Sequence, residues 1–149
     1  LTSAVAAKTA LFDRLIEEAD GGLLQGVDVS YGWEPAGLRS IYGGGWRSQQ
    51  ESAIAEEDGI LQNEVTSVSV YVRVVLTPVP PVDAVKAADA EVERIANLIS
   101  RVMRHQPRLA GGFTWLGMSS TSGDYQPGDD SVTSIAAFAM RIRSMLTWT

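Results

Sequence analysis

Two spacings of apolar residues alternate along the chain. From residue 3 to residue 20, Val5, Thr9, Phe12, Leu15, Ile16 and Ala19 recur at intervals of three and four, which predicts an amphipathic helix. Ser3 stands where an N-cap belongs, and Gly21-Gly22 is placed to end the helix as a left-handed cap. The period then falls to two. In "VDVSYGW", residues 27–33, Val27, Val29, Tyr31 and Trp33 alternate with polar or small residues, as a half-buried strand requires. "EPAG" at 34–37 is a turn.

Residues 39–54 read as extended but irregular, with Gly43, Gly44 and Gly45 inside them, and Asp58-Gly59 is a hairpin signal. The strongest strand follows at 61–76, where Val68, Val70, Val72 and Val74 alternate with Ser67, Ser69, Tyr71 and Arg73. "TPVPP" at 77–81 ends it, because proline donates nothing to a ladder. A second helix is expected from an Asp83 N-cap to His105, with Val85, Ala88, Val92, Ile95, Ile99 and Val102 as its buried stripe. Beyond Pro107 come a strand at Phe113–Met118, a polar loop at 119–130, and a last strand that sets Phe138, Met140 and Ile142 against Arg141 and Arg143. The order α-β-β-β-α-β-β lacks repeated βαβ crossovers. It predicts an α+β domain spanning 1–149, a mostly antiparallel sheet with two helices packed on one face.

Composition narrows the function. The chain has 149 residues and no cysteine, so thiolate metal sites, cysteine nucleophiles and disulfides are excluded. A net charge of −6 argues against a protein that grips nucleic acid by releasing counterions. No apolar run approaches the ~20 residues of a membrane span. Acids at Asp13, Glu17 and Glu18 make the first residues a poor signal peptide.

The chemistry-bearing constellations are sparse. Gly43–Gly45 are followed by Trp46 and Arg47, with no Lys-Ser/Thr pair and no helical stripe, so the triplet is a bulge or bend rather than a phosphate loop. His105, the sole histidine, sits at a helix end without a nucleophile motif, and one histidine makes a poor zinc site. Acidic stretches at Glu56, Glu57 and Asp58 and at 123–130 lack a calcium-loop pattern. They read as solvated tips or as contacts to a partner. Of four tryptophans, Trp33 and Trp115 lie on strand patterns and are expected in the core. Trp46 and Trp148 are expected to be exposed, which for large aromatics suggests a protein interface. Arg141 and Arg143 form a candidate contact with acidic groups of a partner, or a plain exposed face.

The order of these pieces resembles the tail terminator (tail completion) proteins of long-tailed bacteriophages, especially those infecting actinobacteria. The residues that carry the likeness are Val27, Val29, Tyr31, Gly32 and Trp33; Ile41, Tyr42, Gly43 and Gly44; and Leu109, Gly111, Gly112, Phe113 and Trp115. Glu34 intervenes before Pro35 where the family often has proline directly.

The resemblance implies a non-enzymatic virion protein without cofactors or metals. Such a protein forms a ring, typically of six subunits, at the head-proximal end of the tail. Its partners would be the tail tube protein and a head-tail connector or neck protein. Genomic DNA would pass through the lumen without specific binding, and assembly would take place in the host cytoplasm. The interface candidates are Gly43, Gly44, Gly45, Trp46, Glu56, Glu57, Asp58, Arg141, Arg143 and Trp148. Two rivals stand beside this reading: a head-completion or neck protein, and a ligand-binding or enzymatic α+β domain, which would need a concave pocket with convergent polar groups.

Overall fold

The computed structural model describes residues 3–35, 37–56, 59–77, 81–127 and 131–148. Helix α1 spans Ala4–Ala19 and α2 spans Pro81–His105; the strands are β1 (Asp28–Ser30), β2 (Arg39–Glu56), β3 (Gly59–Leu76), β4 (Arg108–Leu109), β5 (Phe113–Pro127) and β6 (Val132–Trp148). Among the described residues they form one sheet in the order β1-β2-β3-β6-β5-β4. Every pairing is antiparallel except β1 with β2. The architecture is the expected α+β fold, extended by the two-residue strand β4.

The centre of the sheet is set by the valine alternation. Val68, Val70, Val72 and Val74 lie in the core with Ile41, while Ser67, Ser69, Tyr71 and Arg73 sit half-exposed on the opposite face. Both helices cover the valine face. Leu11, Phe12 and Leu15 of α1 and Ile95, Ile99 and Met103 of α2 join the same core as Met140 and Ile142 of β6. Among the described residues the other face of the sheet carries no helix.

Several local expectations are corrected. Helix α1 buries Ala4, Ala7 and Ala10 with Leu11, Phe12 and Leu15, and leaves Val5, Thr9 and Ile16 exposed. Small alanines let the helix lie close to the sheet, so the buried stripe is rotated from the one the larger residues suggest. Ser3 does not cap the helix with its side chain; its hydroxyl goes to Glu64 of β3. Gly21-Gly22 is not left-handed, since positive φ occurs at Gly26, Gly111 and Gly112 among the described residues. Helix α2 begins at Pro81, which suits a position whose missing N–H has no intrahelical partner. Asp83 therefore lies inside the first turn, where its charge favours the helix dipole.

Strand β1 stops at Ser30, and Trp33, expected in the core, is 85% exposed on the bend that follows. Trp115 is buried as expected. The polar stretch after Met118 is not a loop. It continues β5 as far as Pro127, paired along its length with β6.

Candidate assembly surface

The glycine triplet lies within β2, and the β2–β3 register slips between Gly43 and Trp46, which is the expected bulge. Two of its glycines are crowded, from opposite faces of the sheet. A Cβ on Gly43 would collide with the carbonyl oxygen of Tyr31 and come within 2.9 Å of both Lys8 and Phe12; one on Gly44 would lie 2.6 Å from the Tyr71 ring. Lys8, almost wholly buried, donates from Nζ to the Gly44 carbonyl at 2.9 Å, and Nζ stands 4.0 Å from the centre of the Tyr31 ring. Burial holds the Lys8 ammonium below its ordinary pKa. Gly43 thus serves helix-to-sheet packing, Gly44 leaves room for the Tyr71 ring on the opposite face, and no helix N-terminus follows the triplet.

Beyond this point β2 becomes an edge. Strand β1 pairs only with Ser40–Tyr42, so among the described residues no strand borders β2 from Gly43 onward. At the other side of the sheet, β4 pairs with Phe113 and Thr114, and Trp115 donates to the Pro107 carbonyl at 2.8 Å; among the described residues no strand borders β5 beyond that point. Trp46, 44% exposed, sits on the β2 edge opposite Val68. The β2–β3 pairing runs on to Glu56 opposite Gly59, and β6 accompanies it until Trp148 faces Ile60. From the level of Glu64, which meets Ser3 at the start of α1, these strands continue for about 17 Å. The Trp148 backbone is therefore part of β6. Glu57 and Asp58 lie outside the described residues.

The helix-free face has two ends of different character. At one end Arg73 donates to the Glu34 carboxylate and to the carbonyls of Pro35 and Gly37, the last at 3.0 Å, and so ties these three residues to the sheet. Beside it Tyr42 and Tyr71 stack with ring centres 5.1 Å apart. Burial, assisted by the Glu34 carboxylate, pushes the Tyr42 phenol up. At the other end Arg47 stands opposite Ser67, Ser67 opposite Arg141, and Arg141 opposite Gly117; Arg143 stands opposite Val65 and Thr114. All three of these arginines are exposed, on the side away from Met140 and Ile142. Arg47 was not among the expected contact residues. It joins Arg141 only through the register of three strands, which spacing along the chain does not reveal.

On the helical side, α2 and the β5–β6 pair enclose an open groove of about 690 Å³. Its floor includes Val92, Ala96, Met118 and Phe138, and Ser134 donates to Asp89 at 2.6 Å within it. Glu93, Arg104 and Asp124 line it as well. The sequence marked no such hollow, because its walls come from segments far apart in the chain. His105 lies away from it, on a smaller hollow of about 270 Å³ with Arg14 and Glu18. The carbonyls just past α2 are taken by Arg14, which donates to Gln106 and Arg108, each at 2.9 Å, rather than by His105. Among the described residues no group of three or more acids and histidine is placed to hold a metal ion.

No family profile matches the chain, and no curated protein matches it. Among solved structures, the chain is similar to one in the "Virion of native gene transfer agent (GTA) particle", with a TM-score of 0.52 and 16% identity. The match covers 97% of this chain and 100% of the other. The two share a fold from end to end.

Proposed function

We propose that this chain is a tail terminator: a non-enzymatic virion protein that closes the head-proximal end of a phage-like tail tube as a homo-oligomeric ring, with six subunits as in the family it resembles. The observation that carries this reading is the end-to-end fold match with a chain of a gene transfer agent virion. The order of sequence motifs supports the same assignment at finer grain. So do the surfaces left uncovered in one chain. Two long strand edges and a helix-free sheet face are liabilities in a lone subunit and become contacts in an assembly. In this reading the ring stops tube polymerisation on one side and offers the neck protein a docking surface on the other. DNA passes through its lumen unbound, since subunits of net charge −6 repel it.

Removal of the gene from a producing strain, followed by electron microscopy of the particles, tests this. Overlong tails without joined heads are expected. Finished tails beside leaking heads would reassign the protein to the neck, and uniform labelling of the whole tube would make it a tube subunit.

A further inference from the structure

We propose that the helix-free face of the sheet receives the exposed side of α1 from a second copy, so that neighbouring subunits meet through unlike surfaces. The proposal rests on the homo-oligomeric reading above and names the contact.

The two surfaces match in charge. On the sheet, Arg47 and Arg141 are two strand spacings apart, about 10 Å, and Arg143 lies about 7 Å further along β6. On α1 and its C-cap, Asp13, Glu17 and Asp20 are exposed at intervals of four and three, so they line one side of the helix over about 10 Å. Among the described residues, Arg47, Arg143 and these three acids form no ion pair. The three arginines stand together on the helix-free face of the sheet and the three acids together on the outer side of α1, in a chain whose net charge is −6.

The surfaces also match in polarity. Val5 and Ile16, 55% and 38% exposed, flank the acids on α1; at 3.6 residues per turn all five fall within an arc of about 120°. On the sheet, half-buried Ala137 and Ala139 adjoin the arginine rows. An apolar strip beside a charged strip on each partner fixes the register of docking as well as its strength. The two patches lie on opposite layers of the fold, so no chain can satisfy them internally, and repetition of the contact builds a ring or filament.

The test is a reciprocal charge swap. One variant carries Arg47→Glu and Arg143→Glu, the other Asp13→Lys, Glu17→Lys and Asp20→Lys; thermal melting verifies that each is folded. Sedimentation velocity and native mass spectrometry should show self-association of each weakened at least about tenfold. An equimolar mixture should restore assembly with the two variants in equal number, because each then supplies the complement of the other. A folded variant that assembles as the wild type does, a mixture that stays dissociated, or a wild-type chain that remains monomeric at low salt would each overturn this contact. Assembly that survives the swaps, together with overlong tails in the deletion strain, removes the contact and leaves the terminator reading intact.

Discussion

The carboxylate of Glu64, in the middle of the sheet, accepts both the backbone N–H of Ser3 at 2.9 Å and its hydroxyl at 3.0 Å. Since Ser3 gives its one hydroxyl proton to Glu64, the 2.7 Å contact with Ser144 has Ser144 as the donor. A residue 61 positions away in sequence thus does at the α1 N-terminus what a local cap would have done. A buried anion there also favours the helix dipole.

The first prediction follows from that contact. Glu64→Ala removes an acceptor of two hydrogen bonds at a site only 2% exposed, and should lower stability by about 2 kcal/mol or more. Glu64→Gln keeps an acceptor oxygen and should lose about half as much. Urea unfolding of the three proteins measures both; an unchanged midpoint for Glu64→Ala would show that α1 does not depend on this cap.

The glycine triplet separates into two crowded positions and one open one. Gly43→Ala sets a methyl against the Tyr31 carbonyl, which is backbone and cannot swing aside; a loss of about 2–3 kcal/mol is expected. Gly44→Ala meets the Tyr71 ring, which can shift at the expense of its stacking on Tyr42, so about 1 kcal/mol is expected. Gly45→Ala meets nothing within 4 Å and should stay within about 0.5 kcal/mol of wild type. Equal losses at all three positions in thermal melts would mean that backbone freedom, and not contact, selects glycine here.

How much of this was legible in the chain depends on whether a side chain's neighbours lie on its own element. The valines of β3 declare their strand because burial on one face imposes a strict period of two. Helix α2 is legible for the same reason at a period of 3.6. Residues 119–125 are exposed along β5, so no face selects apolar residues and no alternation appears; the pairing with β6 is what extends the strand. Trp33 continued an alternation that the backbone abandons after Ser30. The arginine rows and the groove beside α2 depend on register between distant strands, which no local pattern encodes.

Glu91 of α2 binds Arg94 on its own helix and Arg39 of β2, the latter at 3.2 Å. The hydrogen bonds from Arg94, and then those from Arg39, hold its carboxyl below the ordinary value against an opposing effect of burial. A carboxyl with a depressed folded-state pKa stabilises the protein above its unfolded pKa, and that contribution is lost as pH falls through the folded value. The gap in stability between wild type and Glu91→Gln should therefore be constant near neutrality and shrink below about pH 4. Partial exposure limits it to about 1 kcal/mol. Denaturant titrations at several pH values measure the gap, and a gap that widens in acid would contradict the pairing.

Lys8 carries the opposite sign. Its folded-state pKa lies below the usual 10.5 because the ammonium is desolvated between α1 and β2. Between the lowered value and 10.5 the unfolded chain binds the extra proton, so this group adds stability as pH rises through that window. Below it, the folded protein bears the cost of a buried charge, which the hydrogen bond to Gly44 and the Tyr31 ring face only partly offset. Lys8→Met keeps the aliphatic volume, gives up the bond to Gly44, and has nothing to titrate. The stability difference, wild type minus Lys8→Met, should thus grow from neutral pH toward pH 10, since a neutral amine still donates to the carbonyl without the desolvation cost. Titration of Tyr42, which is shifted by burial and the Glu34 carboxylate and not by Lys8, affects both proteins alike and cancels in that difference. Urea midpoints taken across this range decide the matter: a difference that narrows as the solution becomes alkaline would mean that the ammonium is stabilised, not strained, by its place beside the glycines.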